Sequence, residues 1–342
     1  MIDWSTAIFP LIHEPIYSGE VISVDSDGTE EWRSPKKLAV RGSYEKTITV
    51  KSVGGTGTGL ATHLFVSGNP SKFLQGHNVF GSDNLISLNF DVYKFICNHF
   101  EFNPTPSNIA DVSNGNYSIG RTDVNYSYVL PSQSDVMSWL RAAETKGSTR
   151  MGRAQNKKGS IYFGLTSEYY KLVFYSKLLE IQTKRGGLPL ELKEKGIEKW
   201  VQNVLRSELR LLRKELKRLN IKTAKDFMEY GTTNLFREYM GRVEMPEQIQ
   251  LNDETLLSLP TKLRSTYTLW VEGHDLRNMH SPATFYRHKK ELKQYGINID
   301  LKPESTRKTN VIPLIKILEA KPASIPQWAF DQNIIHKSAS NF

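Results

Sequence analysis

Leu205-Arg206-Ser207-Glu208-Leu209-Arg210-Leu211 admits two readings. As a strand it places Leu205, Leu209 and Leu211 on one face and Arg206, Glu208 and Arg210 on the other, because successive side chains alternate across a pleated backbone. As a helix it belongs to a longer run, residues 183–219, rich in strong helix formers and charge. Periodicity alone leaves both open.

The flanking chain is clearer. Residues 1–130 read mainly as β structure: Thr47-Ile48-Thr49-Val50-Lys51 alternates, and His63-Leu64-Phe65-Val66 is a β-prone run before a Gly-Asn-Pro break. Gly54–Gly59 lacks the Gly-Lys-Ser/Thr ending of a phosphate-cradling loop and reads as a connector. Leu85, Leu88, Val92, Phe95, Ile96 and His99 recur at helical spacing, and a strand is expected over Tyr117 to Leu130. Ser132-Gln133-Ser134-Asp135 opens a further helix, while Lys146 to Lys158 carries five positive charges and no acidic residue and reads as a mobile basic loop. Strands follow at Ile161–Phe163 and from Tyr170 to Lys177, and a helix begins after Thr223. Alternating strands and helices imply an α+β fold, a sheet covered by helices.

The 342 residues suffice for two domains, and 39% hydrophobic with 24% charged residues is globular composition. A net charge of +9 favours a polyanionic partner, since each Lys or Arg meeting a phosphate releases counterions. Cys97 is the only cysteine, which excludes an internal disulfide and a thiolate zinc cluster and suits a reducing cytoplasm. No basic-then-apolar leader and no run near the ~18 residues of a membrane span is present, so neither export nor membrane insertion is expected.

Glu244-Met245-Pro246-Glu247 reads as a linker between domains at 1–240 and 245–342. Beyond it, Leu263 to Val271 is one helix; Ser281 as cap, Pro282 at the first turn and Gly296 as stop define another. The pair is similar to a helix-turn-helix whose second helix would offer Thr284, Arg287 and Lys290 to a DNA groove; an ordinary basic helical pair is the alternative.

Five stretches in order, Leu74-Gln75-Gly76-His77-Asn78-Val79-Phe80-Gly81, Phe174-Tyr175-Ser176-Lys177, Arg206-Ser207-Glu208-Leu209-Arg210, Thr284-Phe285-Tyr286-Arg287-His288 and Asn310-Val311-Ile312-Pro313-Leu314, resemble motifs of the filamentous-phage (inovirus) gene II replication initiators. The resemblance covers most of the chain, including a C-terminal gene X-like region. It implies a rolling-circle nuclease fold with a central antiparallel sheet, favours the strand reading of Leu205–Leu211, and implies an endonuclease that nicks one strand at a phage origin and later rejoins it. Double- and single-stranded phage DNA and the host helicase and replication machinery are the implied partners, in the cytoplasm of the bacterial host.

By the same resemblance Tyr175 is the nucleophile and Lys177 its companion. Two residues apart on a strand, both would face one way, and a phenol of pKa about 10 needs help from a nearby cation or a metal-polarised phosphate. The divalent cation of such enzymes, Mg²⁺ or Mn²⁺, is often held by two histidines flanking one residue, a pattern absent among the eight histidines here. Asp123, in a stretch resembling the family's Arg-x-Asp strand, Glu208 and His77 are the substitute ligands. Asp123 paired with Arg121, Glu208 in an exposed charge ladder, and His77 bonding a phosphate or holding its Gly76–Gly81 loop closed are the alternatives. Lys72, Arg121, Arg150 and Arg153 are the expected DNA contacts beside the C-terminal helix. Two rival functions share this basic surface: a non-catalytic origin-binding regulator, and a nuclease that uses metal-activated water.

Overall fold

Alternating hydrophobicity builds the sheet and local caps build its helices. The computed structural model describes residues 1–183, 187–244, 249–250, 259–271, 274–295, 297–300, 311–312 and 322–337. Its main sheet has nine strands, β1 (Ile2–His13), β2 (Leu38–Arg41), β3 (Thr47–Val53), β4 (Ala61–Gly68), β5 (Ser118–Val129), β6 (Gln155–Lys157), β7 (Ser160–Phe163), β8 (Tyr170–Ser176) and β9 (Val204–Leu212). In space they run β6-β7-β8-β9-β5-β1-β4-β3-β2, with every neighbouring pair antiparallel. The molecule is therefore α+β with an antiparallel sheet, and Leu205–Leu211 is a strand near its centre. The strand wins because Leu205, Leu209 and Leu211 become fully buried, a gain of roughly 1.5–3 kcal/mol each.

The short helix α1 (Pro70–Gln75) follows β4, capped by the Asn69 side chain, which accepts from the Lys72 amide at 2.8 Å. Longer helices cover the sheet face that the three leucines share. The helix α2 (Leu85–His99) packs on β1, with Tyr93 edge-on to Phe9 at 5.3 Å, and α3 (Gln133–Lys146) packs on β7 to β9, with Trp139 against Phe174 at 5.0 Å. The Ser132 hydroxyl caps α3 by accepting from the Asp135 amide. Thr223 and Asp226 form a reciprocal capping box on α4 (Ala224–Tyr230), and Gly231, at φ +89°, breaks the chain before α5 (Thr232–Met240).

The Lys146–Lys158 stretch is more ordered than a mobile loop. Ser148–Thr149 pairs with Gly152–Arg153, and Gln155–Lys157 extends the sheet edge as β6. Beyond Glu244, the helices α6 (Thr261–Val271), α7 (Leu276–Met279) and α8 (Pro282–Lys293) pack Leu263, Tyr267, Leu276, Phe285 and Leu292 into a separate small core. The Ser281 hydroxyl caps α8. Met245, Pro246, Gly273 and Gly296 lie outside the described residues. Among the described residues no helix is long and apolar enough to cross a membrane.

Gly76 ends α1 in the left-handed region, at φ +84°, and a Cβ there would collide with the Tyr44 ring. Gly76→Ala is expected to lower stability by about 1–3 kcal/mol through backbone strain alone, read as a shift in the urea midpoint; an unchanged midpoint would show that this turn relaxes freely.

Candidate active site

Three cross-strand rows place charged groups on the sheet face opposite the leucines. Trp4, Asp123, Arg210 and Lys171 form one row; Asn125, Glu208, Val173 and Tyr162 the next; Ser127, Arg206 and Tyr175 the third. A bulge in β1 adds to them. Two steps from Ile2 to Trp4 face one step from Val124 to Asp123, so Asp3 is the extra residue, and its side chain turns into the same cleft. The cleft encloses about 340 Å³, and Tyr175, Asp123, Glu208, Asp3, Lys72 and Arg121 are among the residues lining it.

Burial and the nearby Glu208 and Asp3 carboxylates hold the Tyr175 phenol well above its ordinary range, with Arg206 opposing them. Asp123 is almost wholly buried. Burial raises its carboxyl to about 7, against the Arg121 guanidinium, and the like charge of Glu208 adds to the rise. Arg121 grips Asp123 with two N–H groups, the Nε bond being 2.8 Å, and stacks over the Trp4 ring at 4.9 Å. Arg210 Nε donates to Glu208 Oε1 at 2.7 Å and lies 3.8 Å from Asp123 Oδ2. Both carboxylates are thus ion-paired and also face the cleft that holds the tyrosine. Among the described residues no three His, Cys, Asp or Glu side chains assemble into a metal cage.

Lys177 departs from the expected strand geometry. The Ser176 hydroxyl accepts from the Leu179 amide and starts a helix, Lys177–Ile181, so β8 ends one residue short of Lys177. Its ammonium is fully buried behind the cleft wall, donating to Asn78 Oδ1 at 2.8 Å and to Glu180 Oε2 at 2.6 Å. Burial pushes it down to about 8 although Glu180 pulls the other way. Burial alone would raise Glu180, but Lys177 and Lys72 overcome it and hold that carboxyl down to about 2.

Both ring nitrogens of His77 are engaged within the fold, the arrangement of a residue that holds its loop closed rather than of a free metal ligand. Nδ1 accepts from the Val79 amide at 3.2 Å and Nε2 donates to the Ile334 carbonyl at 2.8 Å. Burial, with Lys177 and Arg206 near, lowers its pKa to about 4, so the ring is neutral and structural. Lys72 and Arg121 line the cleft, whereas Arg150 and Arg153 are exposed and do not. On α8, Arg287 and Lys290 are exposed and Thr284 is half-buried.

Sequence reasoning missed Asp3, Tyr162, Glu180 and the role of Asn78. The Asn78 amide donates to Asp3 Oδ1 at 2.6 Å while its oxygen receives Lys177, and its backbone carbonyl accepts from Arg206 at 2.7 Å. Glu180 stands three residues past Lys177, a helical spacing that would have been a signal had the helix been recognised.

A profile for the N-terminal part of the phage gene II replication-associated proteins matches residues 1–230, and one for their C-terminal part matches residues 251–335. The chain is 43% identical over 328 residues to the replication-associated protein of this kind from Enterobacteria phage I2-2, covering 95% of each. It is 30% identical over 120 residues to the corresponding replication-associated proteins of Enterobacteria phages fd and M13, covering 34% of this chain and 28% of theirs. With both parts of the family matched and a relative aligned along nearly its whole length, the chain belongs to the phage gene II replication-associated protein family, whose role is in phage DNA replication.

Proposed function

We propose that this protein nicks one strand of phage DNA at an origin and later rejoins it, starting and ending rolling-circle replication in the cytoplasm of the bacterial host. The observation that carries the reading is the convergence of Tyr175, Asp123 and Glu208, from three strands, on one cleft. The Tyr175 oxygen attacks phosphorus and gives up its proton; the P–O bond to the 3′ side breaks, and that oxygen takes a proton to leave as a 3′ hydroxyl. The phosphotyrosyl link to the 5′ end conserves the phosphodiester, and attack by a 3′ hydroxyl reverses the step. Arg121, Arg210 and Lys72 line the cleft with donors for phosphate oxygens.

Asp123 and Glu208 fit a divalent cation. Two hard oxygen donors whose like charges repel gain from a cation between them, and Mg²⁺ is commonly held by one or two carboxylates together with substrate phosphates. Bound there, it would supply charge neutralisation at the phosphate. Opening the duplex falls to a host helicase and the host replication machinery.

The test is incubation with Mg²⁺ and supercoiled DNA carrying the origin, followed by a denaturing gel. Nicked circles with protein-linked DNA support the reading; nicks without an adduct favour activated water, and binding without nicking favours an origin-binding regulator.

In this reading α8, in the small helical core beyond Glu244, contributes to a DNA groove. Arg287→Ala and Lys290→Ala should each weaken binding and lower the slope of log K against log salt by about 1. Binding isotherms at several salt concentrations check this, and unchanged slopes would take α8 off the DNA.

A further inference from the structure

The stretch Gly76–Gly81 has a second partner besides the cleft. Residues 322–337 return across it from the far end of the chain. Ala323 N–H donates to the Ser127 carbonyl at 2.8 Å, on β5, the strand that carries Asp123 into the cleft. Trp328, in the short helix Gln327–Asp331, meets the Phe80 ring edge-on at 5.6 Å, and Ala329 and Ile334 are buried with Val79 and Phe80 in one apolar cluster. The Ile334 carbonyl receives His77, and the His336 amide donates to Gln75 Oε1 at 2.7 Å. The Gln75 amide nitrogen in turn donates to the carbonyls of His77 and Phe80, at 3.2 and 2.7 Å, closing the loop on itself. His336 Nε2 also lies 3.0 Å from Asp91 Oδ2.

Asn78 sits between these anchors. Its neighbours His77 and Val79 are fixed by the returning segment, while its own side chain reaches the other way to hold Asp3 and Lys177. We propose that residues 322–337 are a positioning element of the cleft: by docking on Gln75–Gly81 they hold Asn78 where it fixes Asp3 and Lys177 for the reaction at Tyr175. The inference rests on reading the cleft as the nicking site. None of the segment's residues lines that cleft, so the effect passes through Asn78. A displacement of the order of 1 Å in such a group is enough to slow a reaction about 100-fold.

The full chain carrying Trp328→Ala and Ile334→Ala tests this beside a conservative pair, Trp328→Phe and Ile334→Val. Amide hydrogen exchange of residues 76–81 reports docking, and single-turnover adduct formation at saturating origin DNA reports positioning. The alanine pair should exchange at least about tenfold faster in the loop, since local opening sets that rate. It should form adduct about 10–100-fold more slowly, with DNA affinity within about twofold because the DNA-lining residues are untouched. The conservative pair should behave as the parent, and a peptide of residues 322–337 added to the alanine pair should recover part of the rate. Unchanged exchange would overturn the docking role. Faster exchange with an unchanged adduct rate would overturn the positioning role, as would a global loss of circular dichroism signal matched by the conservative pair. A parent chain that forms no adduct at all would remove the nicking reading and the catalytic part of the proposal with it, while the exchange data would still decide docking.

Discussion

Tyr175→Phe is expected to eliminate both nicking and the protein–DNA adduct, lowering the single-turnover rate by at least about 1000-fold, as loss of a covalent nucleophile does. The ring keeps its place among its neighbours on β8, so the folded structure should persist. A buried hydroxyl contributes only about 1 kcal/mol to stability, and the melting temperature should move by a few degrees at most. The pH profile provides a second check on the intact protein. Because burial, Glu208 and Asp3 hold the phenol well above its ordinary range, the phenolate that a tyrosine nucleophile would need is scarce near neutrality. The adduct rate should therefore climb as pH rises through the alkaline range. Nicking that survives in a folded Tyr175→Phe protein would transfer the role elsewhere. Tyr162 is then the first residue to substitute, because it lines the same cleft, whereas Tyr170 is buried in the core and Tyr169 lies outside the cleft.

Local signals carried much of the fold. Ser132, Thr223 and Ser281 announce their helices because a capping hydroxyl bonds an amide only three residues on. The alternation of Leu205 to Leu211 separates an apolar face from a charged one, but only the resemblance to the phage initiators distinguished strand from helix; in the structure burial on both faces of the strand settles it. Lys177 was misplaced by the same logic of alternation. Ser176 is itself a capping residue, and the chain turns helical where the two-residue periodicity would have continued.

The site was legible only in pieces. Tyr175, Asp123 and Glu208 belong to motifs, yet their meeting depends on strand order: β9 lies between β8 and β5 although β5 and β9 are not consecutive in the chain. Asp3 had no local signal, since its direction comes from a bulge against a strand about 120 residues away. His77 was a reasonable ligand by residue type. Its two nitrogens are claimed by an amide two residues on and by a carbonyl 257 residues on, and only the first of these is near in sequence.

Asp123→Asn is expected to have the other large effect, slowing adduct formation by about 100- to 1000-fold, the usual loss when one charge-stabilising group leaves a water-poor site. The substitution preserves size while removing one of the two negative charges that would hold a cation. If Asp123 holds a cation in the parent, protons would compete with it for the carboxylate. With its carboxyl raised to about 7, the apparent Mn²⁺ affinity measured through the adduct rate should fall about tenfold per pH unit below 7. The variant should lose that dependence along with most of its metal affinity. Stability without metal gives an independent sign. The folded carboxyl takes up a proton at higher pH than the unfolded one, whose value is near 3.8, so the parent should become less stable as pH rises from about 4 toward 7. An amide side chain cannot titrate there, and the variant's stability curve should be flatter across that window. If Asp123→Asn instead keeps the parent's metal dependence and rate, the Arg121–Asp123 pair is a structural clamp. Charge compensation at the phosphate would then fall to Arg121, Arg210 and Lys72, and their alanine variants, rather than the metal titration, would show the larger losses.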